Sequence, residues 1–204
     1  VYQTANIPKV VGGVTKHCSE LIRLLYSQII EQVVPVSSAR VAEMVKLLEN
    51  TFRAVNIALI NEICLMANRL NIDIWEVIKA AGTKPFGFMS FKPGPGLGGH
   101  CLPIDPLYLS WKARLAGFES RFIQIADEIN SSMPAYVVNK TAEILNKYSK
   151  ALKGSKILII GVAYKPDVSD MRESPALEII KHLKGEGAIV SYYDPLIKNI
   201  KINN

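Results

Sequence analysis

Several features that often identify a protein class are absent or scarce in these 204 residues. The three cysteines, Cys18, Cys64 and Cys101, are far apart and form no CxxC pair. Their odd number argues against a disulfide framework or a zinc site and favours a reducing cytosol. No apolar run approaches the roughly 18 residues that a membrane span needs, and VYQTANIPKV does not look like a signal peptide. We therefore expect a cytoplasmic protein without a metal or a membrane partner.

The charge pattern also lacks a block of one sign. The net charge is +6, but the basic residues are scattered among acidic ones. This pattern fits a soluble enzyme that handles an anionic small molecule at least as well as a nucleic-acid binder. Hydrophobic residues make up 49% and charged residues 21% of the chain, which is typical of a folded domain. We expect no nucleic-acid partner.

Helical periodicity dominates up to about residue 150. A short strand, IPKVVGG, precedes Thr15, a candidate N-cap of a helix that runs from His17 to Val34. Ser37 or Ser38 can cap a helix over about residues 40–70, and Asp73 with Glu76 can cap the next one. Asp105-Pro106 is predicted to cap and open a further helix, with Asp105 at the N-cap, and a long helix over about 121–148 contains Pro134. Cys18 and Cys64, on apolar helical faces, are interpreted as packing residues.

An α/β pattern begins after residue 150. KILIIGVAY and AIVSYYDP have the β-branched composition of buried parallel strands, and Ser174-Pro175 is predicted to cap the helix between them. The chain then continues for too few residues to complete a sheet. We predict a helical domain over 14–150 and a partial α/β domain over 151–204, with residues 1–13 as the tail of a preceding domain.

The segment FKPGPGLGGHCLPIDP carries the strongest chemical signal. Gly94, Gly96, Gly98 and Gly99 precede His100-Cys101, and glycines let backbone amides approach a ligand closely or form an anion-binding nest. Such a loop can hold a phosphate or a sugar against the thiol, whose reactivity depends on its local pKa. A structural Gly/Pro turn with a buried cysteine is the alternative, and Asp105 has a purely structural explanation as a helix cap.

Two further segments contain candidate site residues. Lys46 and Asn50, with Arg53 and Asn61 near the same azimuth, form a polar stripe on an apolar helix that faces either a wet cleft or solvent. GVAYKPDVSDMRESP directly follows a strand, as ligand loops do in open α/β sheets, and includes Lys165 and Arg172. It contains neither GxGxxG nor a P-loop, so it is not by itself a nucleotide fingerprint, and an ordinary surface loop is the alternative.

Together the three segments resemble the UDP-glucose/GDP-mannose dehydrogenase family. The resemblance rests on SARVAEMVKLLENTFRAVNIALINE, GTKPFGFMSFKPGPGLGGHCLPIDP and ILIIGVAYKPDVSDMRESPALEII, in the order and spacing of the family. It implies an NAD-dependent oxidation of the sugar C6 alcohol, with UDP-N-acetylhexosamines as the closest substrate class. It also implies a central helical domain that forms a homodimer, a partial UDP-binding Rossmann-like domain, and absence of the N-terminal NAD-binding Rossmann domain from this chain.

The resemblance also implies roles for individual residues. Cys101 corresponds to the nucleophile, Lys46 to the group that stabilises oxyanion charge, and Asn50 to a substrate- or water-positioning residue. Asp105 corresponds to a group that assists proton transfer. The glycines of residues 93–99 and Lys165 would bind the UDP-sugar, and Arg172 would lie at the cofactor–substrate cleft.

Two departures and two alternatives remain. Pro85 stands where UDP-glucose enzymes use an intersubunit arginine, and the family's acidic base for thioester hydrolysis has no counterpart here. The chain is therefore either part of such an enzyme or a fragment that acts only as a dimerisation or nucleotide-sugar-binding module. A thiol hydrolase is the rival enzyme class, but His100 adjoins Cys101 in sequence and so is poorly placed as its general base.

Overall fold

The computed structural model describes residues 3–200, which form two compact units, one up to Asn50 and one from Thr51 onward. The division falls inside a single long helix. The sequence suggested other boundaries, between residues 13 and 14 and between residues 150 and 151. Those domain boundaries stay a prediction. The two units are described in turn.

The first unit contains a small parallel sheet. A helical turn at Thr4–Asn6 precedes strand β1 (Lys9–Val11), helix α1 (Lys16–Tyr26), strand β2 (Val33–Pro35) and the start of helix α2 (Ala39–Arg69). β1 pairs with β2, with Lys9 opposite Val33. The prediction that one helix extends to Val34 is wrong, because α1 ends at Tyr26 and the β-branched pair Val33-Val34 joins the sheet.

The predicted caps in this unit hold, but one packing prediction does not. Ser38 Oγ accepts a hydrogen bond from the Val41 amide, and Thr15 Oγ1 accepts one from the Cys18 amide. Cys18 is exposed and does not pack in a core. The Thr15 hydroxyl donates to Cys18 Sγ at 3.1 Å, and this hydrogen bond lowers the pKa of the Cys18 thiol.

The second unit joins helices to a second parallel strand pair. Its elements are the rest of α2, then α3 (Ile74–Ala81), α4 (Asp105–Leu115), α5 (Arg121–Lys147), β3 (Lys156–Ile160), α6 (Pro175–Gly185) and β4 (Ile189–Tyr193). β3 and β4 pair in parallel, with Lys156 opposite Ile189. Helices followed by a strand-helix-strand unit confirm the predicted fold class.

Three apolar clusters stabilise this unit by removing side chains from water. The first joins α2 to α3 through Ile60, Ala67, Ile74 and Ile78, and the half-buried Cys64 packs against it as predicted. The second joins α5 to α6 through Val138, Ile179 and Leu183. The third lies under the strand ends, with Val162, Ile180 and Ile197. Helix α5 therefore connects the helical part of this unit to the α/β part.

Candidate functional site

The glycine loop, residues 93–101, is anchored at both ends by the protein itself. At its start, the Gly94 amide donates to Asn61 Oδ1 at 2.9 Å. Near its end, a Cβ atom at Gly98 would lie 2.8 Å from Tyr164 Cβ, and one at Gly99 would lie 2.8 Å from Tyr164 Cε2. Gly99 also has a φ of +87°, a conformation that strongly favours glycine. The loop therefore lies on the segment that follows β3.

The glycines predicted to bind substrate thus have packing roles as well. At Gly96 a Cβ atom would lie 3.1 Å from the Asn130 carbonyl oxygen on α5, and the α6 residue Pro175 lies almost as near. Only open space surrounds a Cβ atom at Gly94. Gly94 is therefore the one of the four where close packing does not require glycine.

Cys101 lies where the glycine loop meets α4. Its side chain is exposed, and the structure does not support the alternative of a buried structural cysteine. Its carbonyl oxygen accepts the Asp105 amide at 2.9 Å and the Ile104 amide at 3.3 Å. Asp105 therefore follows the thiol by one turn. The N-cap is Ile104 and not Asp105, since α4 begins at Asp105 with Pro106 as its second residue.

Lys165 and Arg172 lie in the segment 161–173 that supports the glycine loop. The Arg172 carbonyl accepts the Gly99 amide at 3.4 Å. The Lys165 ammonium lies 5.3 Å from the centre of the Tyr164 ring, within the range of a cation–π contact. The segment that carries these two cationic residues therefore contacts the glycine loop, and their role in binding stays a prediction.

An ion pair fixes the orientation of Arg172. Its guanidinium donates to both carboxylate oxygens of Asp170, with a shortest distance of 2.7 Å. These bonds, followed by the Arg172 backbone amide, hold the pKa of Asp170 far below its usual range, and the nearby charge of His100 adds to the effect. The same pairing raises the pKa of Arg172.

Asp194 organises the loops at the carboxyl end of the strands. One carboxylate oxygen accepts the amides of Val162 and Ala163, and the other accepts those of Leu196 and Ile197. These amides lower the pKa of Asp194. A cavity of about 600 Å³ opens here, lined in part by Tyr164, Lys165 and Asp194. Its volume suits a small-molecule ligand.

Lys46 and Asn50 belong to the first unit and differ strongly in exposure. The Lys46 side chain is 61% exposed, and its ammonium lies 3.4 Å from Glu49 Oε2. Asn50 is fully buried. Asn61, further along α2 in the second unit, is also fully buried. The polar stripe is therefore not simply a solvated edge of the helix, because its asparagines are inside.

Sequence reasoning missed Tyr164, Asp170, Asn130 and Asp194 as organising residues. Signals existed for two of them. Asp194 directly follows a strand, which is where ligand loops begin, and Asn130 has the helical spacing of the apolar residues Ile123, Ala126 and Met133. The contacts that make Tyr164, Asn130 and Asp194 important join segments far apart in sequence, whereas Asp170 acts on Arg172, two residues away.

Residues 3–200 contain neither a metal-binding cluster of side chains nor a helix that could span a membrane. That range contains no group of three or more His, Cys, Asp or Glu side chains arranged to hold a metal ion. None of the helices in the described range combines the length and apolarity required to cross a membrane.

The segments described above lie within the regions that match known proteins. Residues 40–132 match the central domain of the UDP-glucose/GDP-mannose dehydrogenase family, and residues 158–204 match its UDP binding domain. A UDP-N-acetyl-D-mannosamine dehydrogenase of Methanococcus maripaludis is 40% identical over 92% of this chain and 42% of its own length. A UDP-N-acetyl-D-glucosamine 6-dehydrogenase of Pseudomonas aeruginosa is 38% identical over 96% of this chain and 46% of its own.

A solved structure shares the fold. The UDP-D-ManNAc dehydrogenase of Pyrococcus horikoshii has a TM-score of 0.88 and 36% identity, covering 95% of this chain and 46% of that one. The chain thus spans less than half the length of the relatives that it matches.

Proposed function

This chain belongs to the UDP-glucose/GDP-mannose dehydrogenase family, and from that membership we propose that it is the thiol- and substrate-bearing part of an NAD-dependent UDP-N-acetylhexosamine 6-dehydrogenase. The observation that carries the proposal is the exposed Cys101, at the end of a glycine loop that lies against the segment bearing Lys165 and Arg172. The match to a UDP binding domain supports a UDP-sugar as the ligand. The names of the relatives support an N-acetylhexosamine as its sugar.

The reaction converts the C6 alcohol of the sugar to a carboxylate in two oxidations. In the first, the alcohol loses a hydride and a proton and becomes an aldehyde. The Cys101 thiol then adds to the aldehyde carbon to form a thiohemiacetal, which loses a second hydride and a proton to become a thioester. Water cleaves the thioester, which releases the carboxylate and regenerates the thiol. Covalent capture keeps the aldehyde bound between the two oxidations.

Four further residues of the chain are assigned roles from the family resemblance. We assign Lys46 to the oxygen that gains negative charge, where preorganised charge typically contributes a few kcal/mol. Asn50 orients the substrate or the hydrolytic water, and Asp105, one turn after the thiol, assists proton transfer. Lys165 binds the diphosphate from the edge of the cavity at the strand ends. The glycine loop surrounds the sugar-diphosphate.

NAD supplies the hydride acceptor when it is bound. Of this chain's residues we assign Arg172 to it. The Arg172 side chain is 66% exposed, and its bonds to Asp170 leave part of the guanidinium available to a phosphate. Arg172 is the only residue of this chain that we assign to the cofactor.

We further propose that the protein forms a homodimer through the helical part and acts in the cytoplasm. Exposed aromatic side chains on α4, on α5 and between them support the dimer. Trp111 is 56%, Phe118 65% and Phe122 80% exposed. Apolar patches of this kind mark protein interfaces. The cytoplasm is where a reduced thiol and a nucleotide sugar occur together.

The experiment that tests the function is NADH formation by the protein expressed from its complete gene, with a panel of UDP-sugars. We expect about two NADH per uronate formed from UDP-N-acetylmannosamine or UDP-N-acetylglucosamine, and much less from UDP-glucose. Binding of a UDP-sugar without any NADH would favour the alternative of a nucleotide-sugar-binding or dimerisation module. Absence of both binding and turnover would refute the assignment.

A further inference from the structure

Two buried asparagines form a hydrogen-bonded pair behind the glycine loop. Asn61 on α2 is fully buried and Asn130 on α5 is 4% exposed. Asn61 Nδ2 donates to Asn130 Oδ1 at 2.9 Å. Two amide side chains in an apolar interior carry a large desolvation cost unless their polar atoms are bonded. Here the bonds continue beyond the pair at both ends.

At one end, Asn130 Nδ2 donates to the Ala54 carbonyl oxygen of α2 at 3.1 Å. At the other end, Asn61 Oδ1 accepts the Gly94 amide of the glycine loop at 2.9 Å. The bonds with Asn130 and Gly94 engage both the donor and the acceptor of the Asn61 amide, so its orientation is determined. The pair therefore joins α2, α5 and the glycine loop in one chain of hydrogen bonds.

The bond to Gly94 is the link between this pair and the thiol loop. Past Gly94, the loop packs on α5 at Gly96 and on Tyr164 at Gly98 and Gly99 before it reaches Cys101. These later contacts are steric apart from one long hydrogen bond, from the Gly99 amide to the Arg172 carbonyl at 3.4 Å, whereas the bond from the Gly94 amide is 2.9 Å long and is accepted by a side chain of a helix. Directional bonds to a rigid helix define a position more closely than steric contact with a side chain, because they restrain distance and angle together.

We propose that Asn61 and Asn130 are positioning residues that hold the glycine loop so that the Cys101 thiol captures the aldehyde before it escapes. The proposal rests on the proposed function and adds to it two residues that do not touch the substrate. Both are buried, and the bonds that orient Asn61 are made within the protein. Their effect on the reaction passes through Gly94. Small displacements of a reacting group have large effects on rate, and about 1 Å can cost a hundredfold.

The test compares four variants. Asn61→Leu removes both bonds of Asn61. Asn130→Leu leaves Gly94 untouched but removes the acceptor that orients Asn61. Asn130→Asp keeps an oxygen that accepts from Asn61 Nδ2 but loses the donor to the Ala54 carbonyl, so it isolates the bond that orients Asn61. Asn56→Leu is the matched control, because Asn56 lies on the same helix and its side chain donates to the Phe52 carbonyl of that helix.

The first measurement, on this chain alone, is hydrogen exchange of the amides from Gly94 to Cys101. We expect at least about tenfold faster exchange in both leucine variants at positions 61 and 130, with exchange in α2 and α5 preserved. Exchange in Asn130→Asp and Asn56→Leu should stay within about twofold of wild type. Exchange is compared only among variants that remain folded. Two leucine variants are used so that the test still stands if one of them fails to fold. Unchanged loop exchange in both would overturn the proposal.

The second measurement, on the protein from its complete gene, is the fraction of sugar released as aldehyde, trapped with hydroxylamine, relative to uronate. A merely structural role would lower total activity and leave this ratio unchanged. We expect at least a tenfold rise in the ratio for Asn61→Leu and Asn130→Leu and none for Asn130→Asp. If loop exchange is faster but the ratio of aldehyde to uronate stays at the wild-type value, the proposal is overturned. Absence of NADH formation by the wild type instead refutes the proposed function, and the exchange data still decide whether the pair holds the loop.

Discussion

The ring of Tyr164 occupies the space into which a side chain at Gly99 would project, at 2.8 Å from the position of that missing Cβ atom. Gly99 precedes the exposed His100 and Cys101 by one and two residues, and it is itself buried. Tyr164 in turn adjoins Lys165, on the segment that leads to Arg172. One close contact thus sets the spacing between the thiol and the predicted phosphate-binding side chains.

Gly99→Ala should displace the thiol loop, whereas Gly94→Ala should not. Alanine at position 99 would meet the Tyr164 ring and would have to adopt a positive φ, at a cost of about 1–3 kcal/mol. Gly94 has open space around its missing Cβ atom and no positive φ. Thermal unfolding and UDP-sugar binding would both report the difference. Equal effects of the two substitutions would contradict the role assigned to Tyr164.

Cys101→Ser should bind the UDP-sugar but stop after the first oxidation. A serine hydroxyl is a much weaker nucleophile than a thiolate, so we expect turnover to fall at least about a hundredfold, or roughly 2.7 kcal/mol in the activation free energy. Rapid-mixing measurement of NADH should show no more than one equivalent per subunit. Cys64→Ser serves as the control, since Cys64 packs in the α2–α3 cluster. Full turnover by Cys101→Ser would show that Cys101 is not the nucleophile.

Asp194 should contribute an acid-sensitive part of the stability of the second unit. Its pKa is lowered in the folded state by four backbone amides. A group with a lowered folded pKa stabilises above its unfolded pKa of about 3.9, and this stability is lost as the pH falls below that value towards the folded pKa. Urea unfolding between neutral pH and pH 3 measures the effect.

Asp194→Asn provides the comparison. The amide group retains one acceptor oxygen, so one of the two pairs of backbone amides loses its partner. The variant should be less stable than wild type at neutral pH, and its stability should change less between neutral pH and pH 3. An equally steep pH dependence in the variant would assign the effect to other carboxylates.

Arg172→Lys should weaken cofactor binding although it keeps the positive charge. Lysine cannot reproduce the paired bonds of the guanidinium to both oxygens of Asp170. We expect the KM for NAD to rise about tenfold, equivalent to roughly 1.4 kcal/mol, with less change in the KM for the UDP-sugar. Lys181→Gln is a control on the neighbouring α6, where Lys181 faces Glu178 at 4.0 Å on the surface. If only the KM for the UDP-sugar rises, Arg172 binds the substrate and not the cofactor.

Much of the fold could be predicted because its signals are local. The caps at Thr15, Ser38 and Asp73, the proline at α6 and the positions of the strands after residue 150 depend on neighbours within a few residues, and the structure confirms them. Two finer predictions are wrong: β3 and β4 alternate exposed and half-buried residues and are not buried, and Ser174 stands at the N-cap of α6 without a capping hydrogen bond from its side chain. The prediction failed where a partner distant in sequence decided the outcome. Val33 joins a strand because β1 pairs with it. The helical periodicity of residues 17–34 does not show that β1 lies beside Val33.

The candidate site divides in the same way. By itself the sequence determined the residue types and their order: a thiol after four glycines, a lysine and an asparagine one helical turn apart, and a basic loop after a strand. The tertiary structure alone decided that Tyr164 lies on Gly99 and that the Asn61–Asn130 pair restrains Gly94. These contacts join segments tens of residues apart. Only the packing of buried groups, each of which must satisfy its polar atoms and exclude empty space, selects such partners.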